Sequence, residues 1–279
     1  MRVWRGFGAT IGASALLRPS PLYRPLTRMS QTAPLPISRP SIALLGTEPW
    51  RAAAEFVSFK LHRKPRVMTG DGHPVVIFPG MATDGHAVAP LRGHCQSLGY
   101  AAFDWGQGFN TGPQGDPDVW LAELAANVSR MLAGYKQRAT LIGWSLGGIY
   151  ARELGKLLAP DIKQVITIGT PFNASKDHTN VGWLFKLLSG SSPAFDTGLS
   201  ERLRTPPPVP TTAIYSKSDG VVAWQTCRHE ASSGSVEDVE VASSHIGMGW
   251  NPAVLKVVAN RLGQRMGEWQ PYARHSSPH

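Results

Sequence analysis

Between residues 74 and 262, short apolar runs alternate with helix-length amphipathic segments, and few architectures accommodate that pattern. Six runs read as strands: Val75–Phe78, ended by Pro79-Gly80, then Tyr100–Asp104, Ala139–Gly143, Gln164–Ile168, Thr211–Tyr215 and Val236–Ala242. Between them, Pro90–Leu98 predicts a helix closed by Gly99. Asp116-Pro117 opens another as cap and first residue, with Trp120, Leu121, Leu124, Val128, Met131 and Leu132 on one face and Gly134 as its stop. Leu146, Tyr150, Leu154, Leu157 and Leu158 share a helical face, and Asn251-Pro252 caps a last helix carrying Val254, Leu255, Val258 and Leu262. Strands separated by helices predict an α/β fold, a mostly parallel central sheet with helices on both faces and right-handed crossovers. Residues 172–210 interrupt the rhythm, are too long for a simple connection and predict a short lid-like insert over the strand ends.

The flanks differ in composition. Residues 1–47 hold six arginines and no acid, so most of the formal charge of +9 sits there, leaving +3 for the rest. Those 47 residues predict a disordered basic leader, residues 48–265 the folded domain, and residues 266–279 a flexible tail. For residues 1–28 three readings stay open: a transit peptide, a signal peptide without a clear small-residue cleavage site, or an upstream start with translation beginning at Met29. The compartment stays open with them, cytoplasmic or peripheral membrane being the expectation. No dense Lys/Arg run marks a nucleic-acid partner. Residues 48–61 predict a helix with Pro49 at its first position. Trp50, Ala54, Val57 and Leu61 recur on one side of it, either packed on the domain or presented to a partner or a membrane surface. Cys95 and Cys227 are too few for a disulfide framework or a metal site, and Cys95 falls on an apolar helical face.

Gly143-Trp144-Ser145-Leu146-Gly147 matches G-x-S-x-G, a weak signal by itself. Its context is stronger, because an apolar strand runs directly in and a helix directly out. A serine on so sharp a turn projects from the sheet, and the residues two before and two after it must be small. The helix that follows aims its first N–H groups at the same place.

This stretch resembles the nucleophile elbow of the α/β-hydrolase fold, in its lipase-like and esterase-like members. The resemblance runs from about Pro74 to Leu262 and includes Pro79-Gly80, Ser218-Asp219-Gly220 and Ser244-His245, in the family's order. It implies Ser145 as nucleophile, Asp219 as the acid and His245 as the base, with the Met81 and Leu146 amides as the oxyanion hole. Among the other histidines, His62, His73, His86 and His94 precede the elbow, His178 is in the insert, and His275 and His279 are in the tail. His229 is the remaining rival. Trp144, beside the nucleophile, and Trp183 and Phe185, in an apolar stretch of the insert, are candidate substrate contacts. The expected reaction is hydrolysis of a carboxylic ester, a small-molecule or lipid-like one, through an acyl-enzyme, with no metal or organic cofactor required. An acyltransferase using the same acyl-enzyme and a non-catalytic binding module on this fold are the alternatives. The sequence leaves the oligomeric state open.

Overall fold

The computed structural model of the protein describes residues 37–61, 70–173, 201–230 and 234–272. Six strands, β1 (Pro74–Phe78), β2 (Ala101–Asp104), β3 (Ala139–Trp144), β4 (Ile162–Ile168), β5 (Thr211–Tyr215) and β6 (Val236–Glu240), form one sheet in the order β2-β1-β3-β4-β5-β6. Every neighbouring pair is parallel. Among the described residues, the sheet is accompanied by helices α1 (Ile42–Leu61), α2 (Ala89–Ser97), α3 (Pro117–Leu132), α4 (Leu146–Leu157) and α5 (Pro252–Leu262). Strands β1, β3, β4 and β5 are buried along their whole length, which is why they read as continuous apolar runs, whereas edge strand β6 alternates.

The pleat sends alternate side chains to two separate cores. Val76, Phe78, Leu141 and Val165 pack with Leu121, Leu124 and Val128 of α3 and Ile149 and Leu154 of α4. Val75, Ile77, Ile142, Ile166 and Ile214 pack on the other face with Leu91 and Cys95 of α2 and Val254 and Val258 of α5. Two caps anticipated from sequence are made. Asp116 accepts the Asp118 and Val119 N–H groups, and Asn251 accepts that of Ala253.

Helix α1 departs from the sequence reading at its start, and of the two readings of its apolar stripe it does not pack that stripe on the domain. It starts at Ile42, inside the expected leader, with Ser41 Oγ accepting the Leu44 N–H at 3.1 Å, so Pro49 is interior and not the first residue. Its apolar stripe also faces outward: Trp50, Ala54, Val57 and Leu61 are exposed, while Glu48 and Ala52 are buried against the domain. Helical spacing defines a stripe, but it does not say which side turns inward when the opposite side carries acids with partners waiting for them.

Of the expected insert, residues 174–200 lie outside the described residues. Its return leg is anchored by Arg152 of α4, whose guanidinium donates to the carbonyls of Leu203, Arg204 and Thr205 at 3.1–3.3 Å and lies 3.8 Å from the Phe172 ring centroid. Burial pulls its pKa down to about 9, against the nearby Glu153 and Asp238 carboxylates, so it stays charged at neutral pH. Arg152→Ala should leave the buried Leu203 carbonyl without its donor and lower stability by about 1–3 kcal/mol, read as a shift of the urea midpoint.

Candidate active site

Ser145 stands between the last residue of β3 and the first of α4 with φ 54° and ψ −122°, a backbone conformation that side-chain-bearing residues rarely adopt. Its N–H donates to the Ile168 carbonyl at 2.8 Å, and its own carbonyl accepts the Gly148 N–H at 3.0 Å. Three glycines make this possible. A β-carbon on Gly143 would collide with the Gly147 and Gly148 backbone, one on Gly147 with the Phe78 and Pro79 backbone, and one on Gly148 with the Thr170 side chain.

The loops after β5 and β6 bring Asp219 and His245 to the serine. His245 Nε2 is 3.1 Å from Ser145 Oγ, and its Nδ1 is 2.6 Å from Asp219 Oδ2. The other oxygen of Asp219 accepts the Val221 and Val222 N–H groups at 2.8 and 2.7 Å. An ionised Asp219 assigns the imidazole proton to Nδ1 and leaves Nε2 to accept from the hydroxyl. Burial by itself would depress the His245 pKa. The Asp219 carboxylate, through charge and hydrogen bond, and Glu48, through charge, outweigh it and hold that pKa above its ordinary value. Such a constellation can take a hydroxyl proton and stabilise the imidazolium that results.

The loop after β1 packs on the same elbow. A β-carbon on Gly80 would come 3.4 Å from Ser145 Cβ, and Met81 follows it with a half-exposed side chain. Leu146 opens α4, so its amide belongs to the first-turn donors that lack an acceptor within their own helix. Asn110, fully buried, organises the Met81 loop. It donates from Nδ2 to the Pro79 carbonyl, accepts the Ala82 N–H, donates its own N–H to the Thr83 carbonyl and accepts the Tyr150 hydroxyl at Oδ1.

A family model described as the alpha/beta hydrolase family matches residues 75–262. The chain belongs to the alpha/beta hydrolase family. No curated protein matches it in sequence. Among solved structures it is similar to Paleococcus ferrophilus monoacylglycerol lipase (12% identity, 68% of this chain and 93% of that one, TM-score 0.50). It is also similar to a Pyrococcus furiosus esterase (16%, 71% and 85%, 0.53) and to Aspergillus fumigatus lipase B (17%, 75% and 56%, 0.53). At these identities the likeness is one of fold.

Within this hydrolase the other candidates from sequence fall as follows. Trp144, expected against substrate, is buried instead: its indole N–H donates to the His245 carbonyl at 3.2 Å, and its ring packs in the α2–α5 core beneath the site. Trp183, Phe185 and His178 lie outside the described residues. His229 is engaged elsewhere, with Arg152 donating to its Nε2 at 3.0 Å and its Nδ1 2.7 Å from Asp238.

Three residues of the site were not singled out in the sequence: Asn110, Glu48 and Glu55. Asn110 carries no motif. Glu48 and Glu55 do leave a trace, two carboxylates seven residues apart on one face of a helix whose opposite face is apolar. Both belong to α1, ahead of the segment the hydrolase family model matches.

Proposed function

We propose that this hydrolase cleaves carboxylic esters of a lipid-like or acyl type through an acyl-enzyme on Ser145. The reading rests on one observation: Ser145 Oγ, His245 and Asp219 form an unbroken hydrogen-bonded chain at 3.1 and 2.6 Å. Ser145 Oγ attacks the ester carbonyl as His245 Nε2 takes its proton, and the Met81 and Leu146 amides receive the developing oxyanion. Collapse of the tetrahedral adduct breaks the C–O bond to the alcohol, which leaves with the proton from His245. Water, deprotonated by His245, then attacks the acyl-serine, releasing the acid and restoring the hydroxyl. Beyond the ester and water, each step uses groups of this chain.

Support for a lipid-like substrate comes from the chain's apolar surfaces. The insert carries Trp183, Leu184, Phe185, Leu187 and Leu188 in sequence. The outer face of α1 exposes Ile42, Trp50, Val57 and Leu61 around Lys60, and the chain continues into His62-Arg63-Lys64-Pro65-Arg66. The two acids Glu48 and Glu55 lie on the opposite side of the helix. Apolar area with cations and no acid suits peripheral contact with an anionic lipid surface. Among the described residues no helix is long and apolar enough to cross a membrane.

A fluorophosphonate probe should label the wild-type chain and not Ser145→Ala; labelling that persists in the variant would point to another nucleophile. On p-nitrophenyl esters of increasing length, kcat/KM should rise toward longer acyl chains, and a peak at the shortest would remove the lipid-like reading while keeping the esterase. The chain should co-sediment with phosphatidylcholine vesicles containing phosphatidylglycerol more than with phosphatidylcholine alone. The Trp50→Glu/Val57→Glu double variant should lose that preference, and equal sedimentation of both proteins would exclude α1 as the contact.

A further inference from the structure

We propose that Glu48 and Glu55 of α1 are positioning residues for the Ser145 chemistry, tying the acid-bearing loop and the histidine-bearing loop to each other from outside the matched hydrolase segment. The proposal rests on the Ser145–His245–Asp219 reading and deepens it.

The two loops leave different strands. Asp219 follows β5, and His245 follows β6, which among the described residues has a neighbouring strand on one side only. Their mutual placement sets the 2.6 Å contact between Nδ1 and the carboxylate. Glu48 spans both loops with one carboxylate. Its Oε1 accepts the Gly220 N–H at 2.8 Å and the His245 N–H at 3.1 Å, and its Oε2 accepts the Ile246 N–H at 3.1 Å. The residues next to the acid and the histidine itself thus hang on a single side chain, through charge-assisted hydrogen bonds. Displacing either loop would leave a buried carboxylate short of donors, so the arrangement resists relative movement.

Glu55, two turns on, holds the approach to the histidine. It accepts the Ser244 N–H at 2.7 Å and the Ser243 and Ser244 hydroxyls at 3.0 and 3.1 Å. Arg51, between them, donates to the Ser218 carbonyl at 2.6 Å. Close packing accompanies the bonds: a β-carbon on Gly220 would come 2.6 Å from the Leu44 backbone, and one on Gly247 would collide with the Glu55 carboxylate. The Trp250 indole closes the contact by donating to the Ala52 carbonyl at 3.0 Å.

Glu48 also acts through its charge. The charged groups facing His245 are Asp219 from the β5 loop and Glu48 from α1, with Arg51 on the Glu48 carboxylate at 3.4 Å and Glu55 on the preceding residue. A negative group here favours the imidazolium formed when the serine gives up its proton. Removing that charge lowers the imidazole pKa, so the neutral, proton-accepting form persists to lower pH.

The experiment is the rate of fluorophosphonate labelling as a function of pH, on the full chain, for wild type, Ser145→Ala, Glu48→Gln, Glu48→Asp and Glu55→Gln, with thermal melting to establish folding. Folded Glu48→Gln and Glu55→Gln should label about tenfold or more slowly, as expected for small displacements of reacting groups. Glu48→Gln should also move the acid limb to lower pH, while Glu48→Asp, with its charge kept and its reach shortened, should slow labelling and leave the limb in place. Wild-type rates and an unmoved limb in folded Glu48→Gln would overturn the proposal. Should that variant not fold, a folded Glu55→Gln labelled at the wild-type rate overturns it. The two readings separate cleanly: labelling that survives Ser145→Ala sinks the assignment of the site itself, whereas labelling lost there but untouched by the glutamate variants sinks only the positioning role.

Discussion

Everything at the site depends on how closely three backbones meet beneath Ser145. Strand β3, the turn into α4 and the end of β1 approach one another at Gly143, Gly147 and Gly148, where side chains of any size would collide. That approach holds the serine in its strained conformation, brings Gly80 against it, and starts α4 at the very next residue. Strain of this kind costs about 1–3 kcal/mol and persists only where surrounding structure over-determines it. Here the over-determination is visible: the Ser145 N–H is held by the Ile168 carbonyl of β4, on a strand buried over its whole length.

Among the described residues, two buried histidine–aspartate pairs have nearly equal geometry and opposite electrostatics. His229 sits 2.7 Å from Asp238, and His245 sits 2.6 Å from Asp219. Burial depresses both. At His229 the Arg152 guanidinium adds to that depression, and the pKa falls below its ordinary value despite Asp238. At His245 the second neighbour is the Glu48 carboxylate, which sides with Asp219, and the pKa rises. A hydrogen-bonded aspartate thus does not by itself decide the direction of a histidine's shift; burial opposes it in both pairs, and the next charge adds to one side or the other. One pair fastens α4 to β6, and the other faces a hydroxyl.

Much of this was legible in the sequence because the informative signals are local. Every strand was read within about two residues, since buried parallel strands are short apolar runs and their ends carry Gly, Pro or Asp. That Asp219 and His245 would meet the serine of the elbow was legible because the turn chemistry around each is written in adjacent residues. What was not legible is long-range. Nothing near Glu48 announces that its partners are 172 and 197 residues away. The apolar spacing of α1 left open which side turns inward, because nothing local tells whether the acids on its other side meet water or buried donors. Trp144 shows the same limit: it ends β3 with its side chain in the α2–α5 core, whereas Ser145 already stands in the turn, so adjacency in sequence does not place the two side chains together.

The position of α1 means that the family boundary and the structural boundary of this chain do not coincide. A recombinant fragment trimmed to the matched segment would retain the sheet, the elbow and the Ser145, Asp219 and His245 side chains. It would nonetheless strip the Gly220, His245 and Ile246 amides of their acceptor and bare the cleft that Ala52 and Trp250 close. Twenty residues that look like a prefix are, in packing terms, the outer wall of the room in which the histidine stands.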